Sequence, residues 1–338
     1  MKKIRIAQIG INILSHSTEI FHTIKTHPEV FELVGYALVE DERETCSHKL
    51  SELDGYPELT LDEILNDESI EAVAVETDEI HLTKYALMAA EHGKHIHMEK
   101  PGSQDLADFE RLISLMRASG KVLHLGYMYR YNPYISSVIE RVRAGELGEI
   151  FSTETHMSRL DIEKWRAWLS NFKGGMMFYL GCHLIDLVMQ IQGVPEQVLP
   201  FNTSTGFNGV TAEDNSLALM KYPRGYSIVR VSGAEVGGFE RRQLVVMGER
   251  GTIEIRPLEG NLPQDERKTR FAHFTSKREA RFDENGEYVK SESTSEQYDR
   301  YTAMILAFGE MVRGEKSNPY TLDSELELYK VILKCCGM

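Results

Sequence analysis

Three groups of residues have types and spacings that could do chemistry. The segment KHIHM, 94 to 98, runs into Glu99-Lys100-Pro101, which places a carboxylate and an amine at the end of an apolar strand. Tyr179 and His183 are four residues apart in a segment with helical character, so they share one face at neighbouring turns, with Asp186 three residues further on a nearby face. A phenol and an imidazole so placed can hold or move a proton. The third group is the loop IGINILSHS, 9 to 17, where Gly10, Asn12 and Ser15 stand at the positions of the three glycines of a dinucleotide-binding turn. Gly10 can make the tight turn, Ser15 is small enough for the third position, and Asn12 tolerates left-handed backbone while its amide could donate to a phosphate. Read alone, the loop is equally well an ordinary strand-to-helix turn.

The elements around these residues give them a frame. KIRIAQI, ELVGYALV, AVAVET and KHIHM have the texture of buried strands, and helical spacing separates them at 17–26, at about 80–92 and at 105–119. This alternation implies right-handed crossovers and a doubly wound parallel sheet with helices on both faces, a Rossmann-type α/β domain expected over residues 1–122. Ligands of such sheets bind beyond the carboxyl ends of the strands, where Gly10 and Lys100 both fall. After KVLHLGY the pattern changes. Short alternating runs such as SLALMKY, YSIVRVSGAEV and RQLVVMGERGTIEIRP, the last with a hairpin signal at GERG, predict an α+β domain over 123–294 with a large, mostly antiparallel open sheet. The charged stretch 263–297 reads as poor in strands. MMFYLGCHLIDLVMQIQG reads as one continuous helix, and 295–338 as C-terminal helices packing back on the first domain.

A chain of 338 residues is long for one core, consistent with two domains. Its formal charge of −14, from 38 Lys plus Arg against 52 Asp plus Glu, would repel a phosphate backbone, so nucleic acid is not an expected partner. Cys46, Cys182, Cys335 and Cys336 form no CxxC pair or disulfide framework, and no apolar run is long enough to span a membrane, so a reducing cytoplasm is the expected location. His95 and His97 face the same side of a strand but lack a third ligand, so no metal is expected. The Met176-Met177 pair reads as packing.

Several segments, in order along nearly the whole chain, resemble the Gfo/Idh/MocA oxidoreductases, named for glucose-fructose oxidoreductase and inositol dehydrogenase. They are the Gly10 turn, TDEIH followed by ALMAAEHGKHIHMEKP, LGYMYRYNP, KWR, GGMMFYLGCHLID and GERGTIEI. The resemblance implies an NAD(P)-dependent oxidoreductase transferring a hydride between nicotinamide and a secondary alcohol of a sugar, polyol or related small metabolite. It gives Lys100 a place beside the nicotinamide and the reacting hydroxyl, with Glu99 and Pro101 shaping the cofactor wall. It gives His183 the role of general base, with Tyr179 standing where the family commonly has an aspartate.

Cofactor contacts are expected from Gly10, Asn12, Ile13, Thr77, His81, Trp165 and Arg166. Thr77 begins the stretch that the family usually writes Thr-Pro-Asn, but Asp78 and Glu79 follow it here. Arg130 and Asn132 fall in the family's domain-crossing segment, and Asp186 reads as an architectural hydrogen-bonder. Leu38 stands where a ribose-binding acid could come earliest; if Glu40 or Asp41 serves instead, a 2′-phosphate would be repelled, favouring NAD over NADP. The resemblance also implies a homodimer or homotetramer formed through the second-domain sheet. Two alternatives stay open: an NAD-dependent glycosidase working by transient oxidation and elimination, which a tyrosine base suits, and a non-catalytic sugar or nucleotide sensor.

Overall fold

The computed structural model describes residues 2–283 and 285–338. The opening apolar run is β1 (Ile4–Ile9), and helix α1 (Ser17–Lys25) follows with Ile20, Phe21 and Ile24 buried. In chain order come β2 (Phe31–Ala37), α2 (Glu42–Thr45), a 3-10 turn at Ser47–Leu53 and α3 (Leu61–Asn66). β3 (Ala72–Val75), α4 (Leu82–Glu91), β4 (His95–Met98), α5 (Leu106–Ser119) and β5 (Leu123–Leu125) complete the alternation. The five strands pair in parallel in the order β2-β1-β3-β4-β5. All four residues of β3 are buried, as a strand covered on both faces requires.

Local chemistry fixes the helix ends. Thr60 and Glu63 form a reciprocal capping box on α3, and Asp105 caps α5 by accepting from Asp108 N. The helix expected from about Ile80 starts later, at Leu82. The Asp78 carboxylate accepts from Ile80 N at 3.0 Å and the Asp78 carbonyl from His81 N at 2.8 Å, so residues 78–81 are held as a turn. The strand order reverses between β1 and β3, and the loop at Gly10 emerges at that switch point.

The chain divides into two compact units: residues up to Tyr127 with Tyr301–Leu326, and Met128–Arg300 with Glu327–Met338. The second unit contains α6 (Pro133–Arg143), β6 (Ile150–Ser158), α7 (Glu163–Trp168) and α8 (Cys182–Gln192). The strands that follow are β7 (Gln197–Thr203), β8 (Asn215–Lys221), β9 (Tyr226–Ser232), β10 (Gln243–Gly248) and β11 (Gly251–Ile255). β12 (Gly260–Asn261), β13 (Ala272–Phe274), β14 (Ser276–Phe282), β15 (Tyr288–Thr294) and β16 (Tyr298–Asp299) precede α9 (Thr302–Val312) and α10 (Leu322–Cys335).

Eight strands form one sheet in the order β15-β14-β11-β10-β6-β9-β8-β7, antiparallel except for the β6/β9 pair. Ala218, Met220, Val229, Val231, Leu244 and Val246 are fully buried on one face, the face on which α8 packs. The other face presents Leu199 and Phe201, with Leu217 and Leu219 opposite them on β8.

Two sequence expectations need correction. The stretch 263–297, read as strand-poor, contains β13, β14 and β15. β14 and β15 form an exposed hairpin at the sheet edge with almost no buried side chain, so the apolar alternation that marks a strand is missing. Charged cross-strand partners such as Arg278 and Glu292 take its place. The segment from Met176 to Gly193 is also not one regular helix: Met177–Gly181 forms a wide π-type turn that passes into α8 at Cys182.

Candidate active site

In the first unit the geometry starts at Gly10. Its φ is +84°, and a Cβ there would lie 2.6 Å from Thr77 Cβ and 2.9 Å from Glu42 Oε1, so only glycine lets the loop turn this close to the end of β3. Asn12 follows, fully buried. Its Nδ2 donates to Glu79 Oε2 at 2.8 Å and to the Thr77 carbonyl at 3.2 Å, while its Oδ1 accepts from Leu14 N at 2.7 Å. The expectation that this amide could reach out to a phosphate is therefore corrected, because both of its hydrogens are used inside the chain. Thr77 Oγ1 donates to Glu42 Oε1 at 2.6 Å. Ile13 packs against the cluster of Ile11, Phe21, Cys46 and Leu53, beside Leu38.

Glu40, in left-handed backbone at φ +50°, accepts from Lys84 Nζ at 2.6 Å and from Tyr85 OH at 2.8 Å, and His81 Nδ1 lies 3.7 Å away. The bonds from Lys84 and Tyr85 hold the Glu40 carboxyl below its ordinary range. At the end of β4, Glu99 and Lys100 are each only 5% exposed, with Lys100 Nζ 3.5 Å from Glu99 Oε1, and the Lys100–Pro101 peptide is cis. Desolvation raises the proton affinity of Glu99, against the opposing pull of Lys100.

Three residues of this site carried no signal in the sequence. Glu76, directly after β3, is completely buried, and its carboxyl is pushed well up by desolvation and then by Glu99 and Glu79. Glu42 was one of several consecutive acids and nothing singled it out. Lys49, on the 3-10 turn, donates to the carbonyls of Asn12 at 2.5 Å and Ser15 at 3.1 Å. His97 pairs through Nδ1 with His124 Nδ1 at 2.8 Å, across the β4/β5 register, and burial lowers its pKa to about 3. Among the described residues no group of three or more His, Cys, Asp or Glu is arranged to hold a metal.

Burial raises the carboxyls of Glu42 and Glu79 to about 7, from an ordinary 4.5. A folded-state pKa above the unfolded one means that the native protein holds protons the unfolded chain releases. The associated stability is complete below about pH 4.5 and falls as pH rises towards 7, by roughly 3 kcal/mol for each group. Urea unfolding of the wild type should therefore show stability declining between pH 5 and 7.5, and E42Q should flatten that decline. An unchanged slope in E42Q would remove Glu42 as its source.

The second unit positions the other predicted residues. Tyr179 sits in the wide turn, its ring in an edge-to-face contact with Trp168 at a centroid separation of 5.3 Å and the Arg159 guanidinium 5.4 Å from its centroid. The four-residue spacing from Tyr179 to His183 thus spans a change of helical pitch, and the stacking expected from a uniform α-helix does not describe it. The His183 ring meets Tyr129 edge-on at 5.6 Å. Tyr129 OH donates to Glu259 Oε2 at 2.9 Å, and Glu259 is also paired with Arg242 and Arg300.

Asp186 is an architectural partner: it takes a forked contact from Arg130, at 3.0 and 3.1 Å from Nε and 2.8 Å from Nη2. Asn132 caps α6 and donates to Tyr298 OH at 2.7 Å. Arg166 is fully buried and committed to Asp214 at 3.0 Å, the Phe207 carbonyl at 2.9 Å and the Asp161 carbonyl at 3.2 Å, while Trp165 beside it is half-buried. The Met176-Met177 pair is fully buried.

The residues around the first loop fit a dinucleotide. Gly10 clears the turn, α1 opens its N-terminus just beyond the loop, and Ser15 Oγ is buried with no hydrogen-bond partner among the described residues.

Comparison with known proteins agrees with this fold. Residues 4–127 match the family model for an oxidoreductase family with an NAD-binding Rossmann fold, and residues 135–254 match the model of the GFO/IDH/MocA C-terminal domain. An uncharacterized oxidoreductase of Rhizobium meliloti is 26% identical over 206 residues, 60% of each chain, so this chain spans about 60% of that relative's length. A scyllo-inositol 2-dehydrogenase (NADP+) of Bacillus subtilis is 26% identical over 140 residues, 41% of this chain and 39% of the relative. The solved structure of a putative NADPH-dependent oxidoreductase from Desulfitobacterium hafniense superposes with a TM-score of 0.81 over 100% of this chain and 95% of that one, at 18% identity. No helix among the described residues is long and apolar enough to cross a membrane.

Proposed function

The chain belongs to the GFO/IDH/MocA oxidoreductase family, and from that premise we propose that it moves a hydride between a nicotinamide dinucleotide and a secondary alcohol of a sugar or polyol. The observation that carries this reading is the nearly buried Lys100 beside Glu99, at the end of β4, the strand paired with β3. A dinucleotide, when bound, supplies the hydride chemistry. Gly10, Ser15 and the start of α1 hold its phosphates, Glu40 faces its adenosine ribose, and Glu99 with Pro101 walls the nicotinamide end. Lys100 in the first unit and His183 in the second are the groups that manage the hydroxyl proton, with Tyr179 positioning one of them.

We assign NAD over NADP on the Glu40 carboxylate, which Lys84 and Tyr85 keep ionised and which would repel a 2′-phosphate. The scyllo-inositol dehydrogenase of Bacillus subtilis supports a polyol as substrate. The test is a panel of sugars and polyols offered with NAD+ or NADP+, read at the reduced-nicotinamide absorbance. Substrate-dependent reduction supports the reading; silence across the panel with both dinucleotides counts against it.

A second reading, glycosidic cleavage by transient oxidation and elimination, is favoured by Tyr179, whose phenol suits a base for that elimination and whose ring has the Arg159 guanidinium 5.4 Å from its centroid. Release of aglycone from a glycoside without net reduction of the dinucleotide would select it.

We assign the assembly to the open face of the eight-stranded sheet, where Phe201 is 55% exposed and lies opposite Leu217. Sedimentation should show a dimer or tetramer for the wild type and a shift to monomer for F201E. A monomeric wild type would overturn the assignment.

A further inference from the structure

The first loop lacks two of the three glycines that let backbone approach a diphosphate, and the side chain of Asn12 is spent on Glu79 and Thr77. Something else must meet the negative charge if a dinucleotide binds at this loop. Lys49 is placed to do so. Its ammonium reaches the carbonyls of Asn12 and Ser15, which occupy the second and third glycine positions. An ammonium has three donors, so these two contacts leave one for a further acceptor.

Among the described residues no carboxylate lies within ion-pair distance of Lys49. Glu19, Glu76 and Glu79 act on it only from further off, and burial makes its charged form harder to keep than in water. A half-buried cation with no counter-ion is costly on its own and is relieved by an anion. On the same loop, Ser15 is 8% exposed and its Oγ has no partner among the described residues, so a second donor also lacks its acceptor.

We propose that Lys49 supplies the positive charge that binds the diphosphate of the dinucleotide, in place of the close backbone approach that the missing glycines would give. This rests on the dinucleotide reading above. It assigns Lys49 to the diphosphate common to NAD and NADP, not to the 2′-phosphate that only NADP carries.

The experiment is titration of the full chain with NADH and with NADPH, followed by nicotinamide fluorescence, for wild type, K49Q and K49R. K49Q should weaken both ligands by a similar factor, about tenfold or more, and K49R should stay within about threefold of wild type. Because Lys49 also ties down two loop carbonyls, a measurement on the unaltered protein accompanies the variants: NADH should slow acetylation of Lys49 by acetic anhydride, mapped by mass spectrometry. Equal affinities in K49Q and wild type, loss confined to NADPH, or an acetylation rate indifferent to NADH would each overturn the assignment while leaving the dinucleotide reading intact. A wild type that binds neither ligand would end both.

Discussion

Replacing Lys100 by methionine should lower kcat by about a hundredfold to ten-thousandfold, the usual range for loss of a positioned proton donor or acceptor. NADH affinity should change little. The side chain is almost fully buried and its amine lies 3.5 Å from Glu99, so methionine fills the same space without the charge or the proton. K100R should not rescue turnover, because a guanidinium keeps the positive charge but cannot give up its proton near neutral pH. The measurement is steady-state kinetics on the best alcohol from the panel, with NADH binding as the fold control. Turnover within about threefold of wild type in K100M would remove Lys100 from the chemistry.

The largest stability effect is expected at Asp186. D186A would leave the Arg130 guanidinium buried without its forked partner, since both side chains are essentially inaccessible to solvent. Breaking one side of such a pair costs about 3–5 kcal/mol. For a unit of this size that corresponds to a fall in Tm of about 10 °C. The double variant R130M/D186L, which removes both charges, should recover much of the loss. If D186A melts with the wild type, the pair is not holding the turn at Met128–Tyr131 to α8.

The parallel sheet was legible because its inner strands are buried on both faces and read as apolar runs. The second-domain strands that cover a core were legible for the related reason that their inward residues alternate. The hairpin of β14 and β15 was not, since almost none of its side chains is buried and charged and polar residues break any apolar alternation. At the site, Lys100, Gly10 and His183 stood out by position after a strand, in a turn or in a motif. Glu76, Glu42 and Lys49 could not stand out, because their roles depend on burial and on carbonyls that only the folded loop brings to them. The wide turn at Met177–Gly181 was hidden for another reason: all of its residues are buried and none is charged, so they carry no periodicity to distinguish one helical pitch from another.

Calorimetric titration of the full chain with NADH tests the central claim most directly. One saturable site per chain, filled well below millimolar ligand, is the expected result. Absence of binding at millimolar NADH and at millimolar NADPH would contradict it, and with it the roles of Gly10, Ser15 and Lys100 in holding and using the dinucleotide.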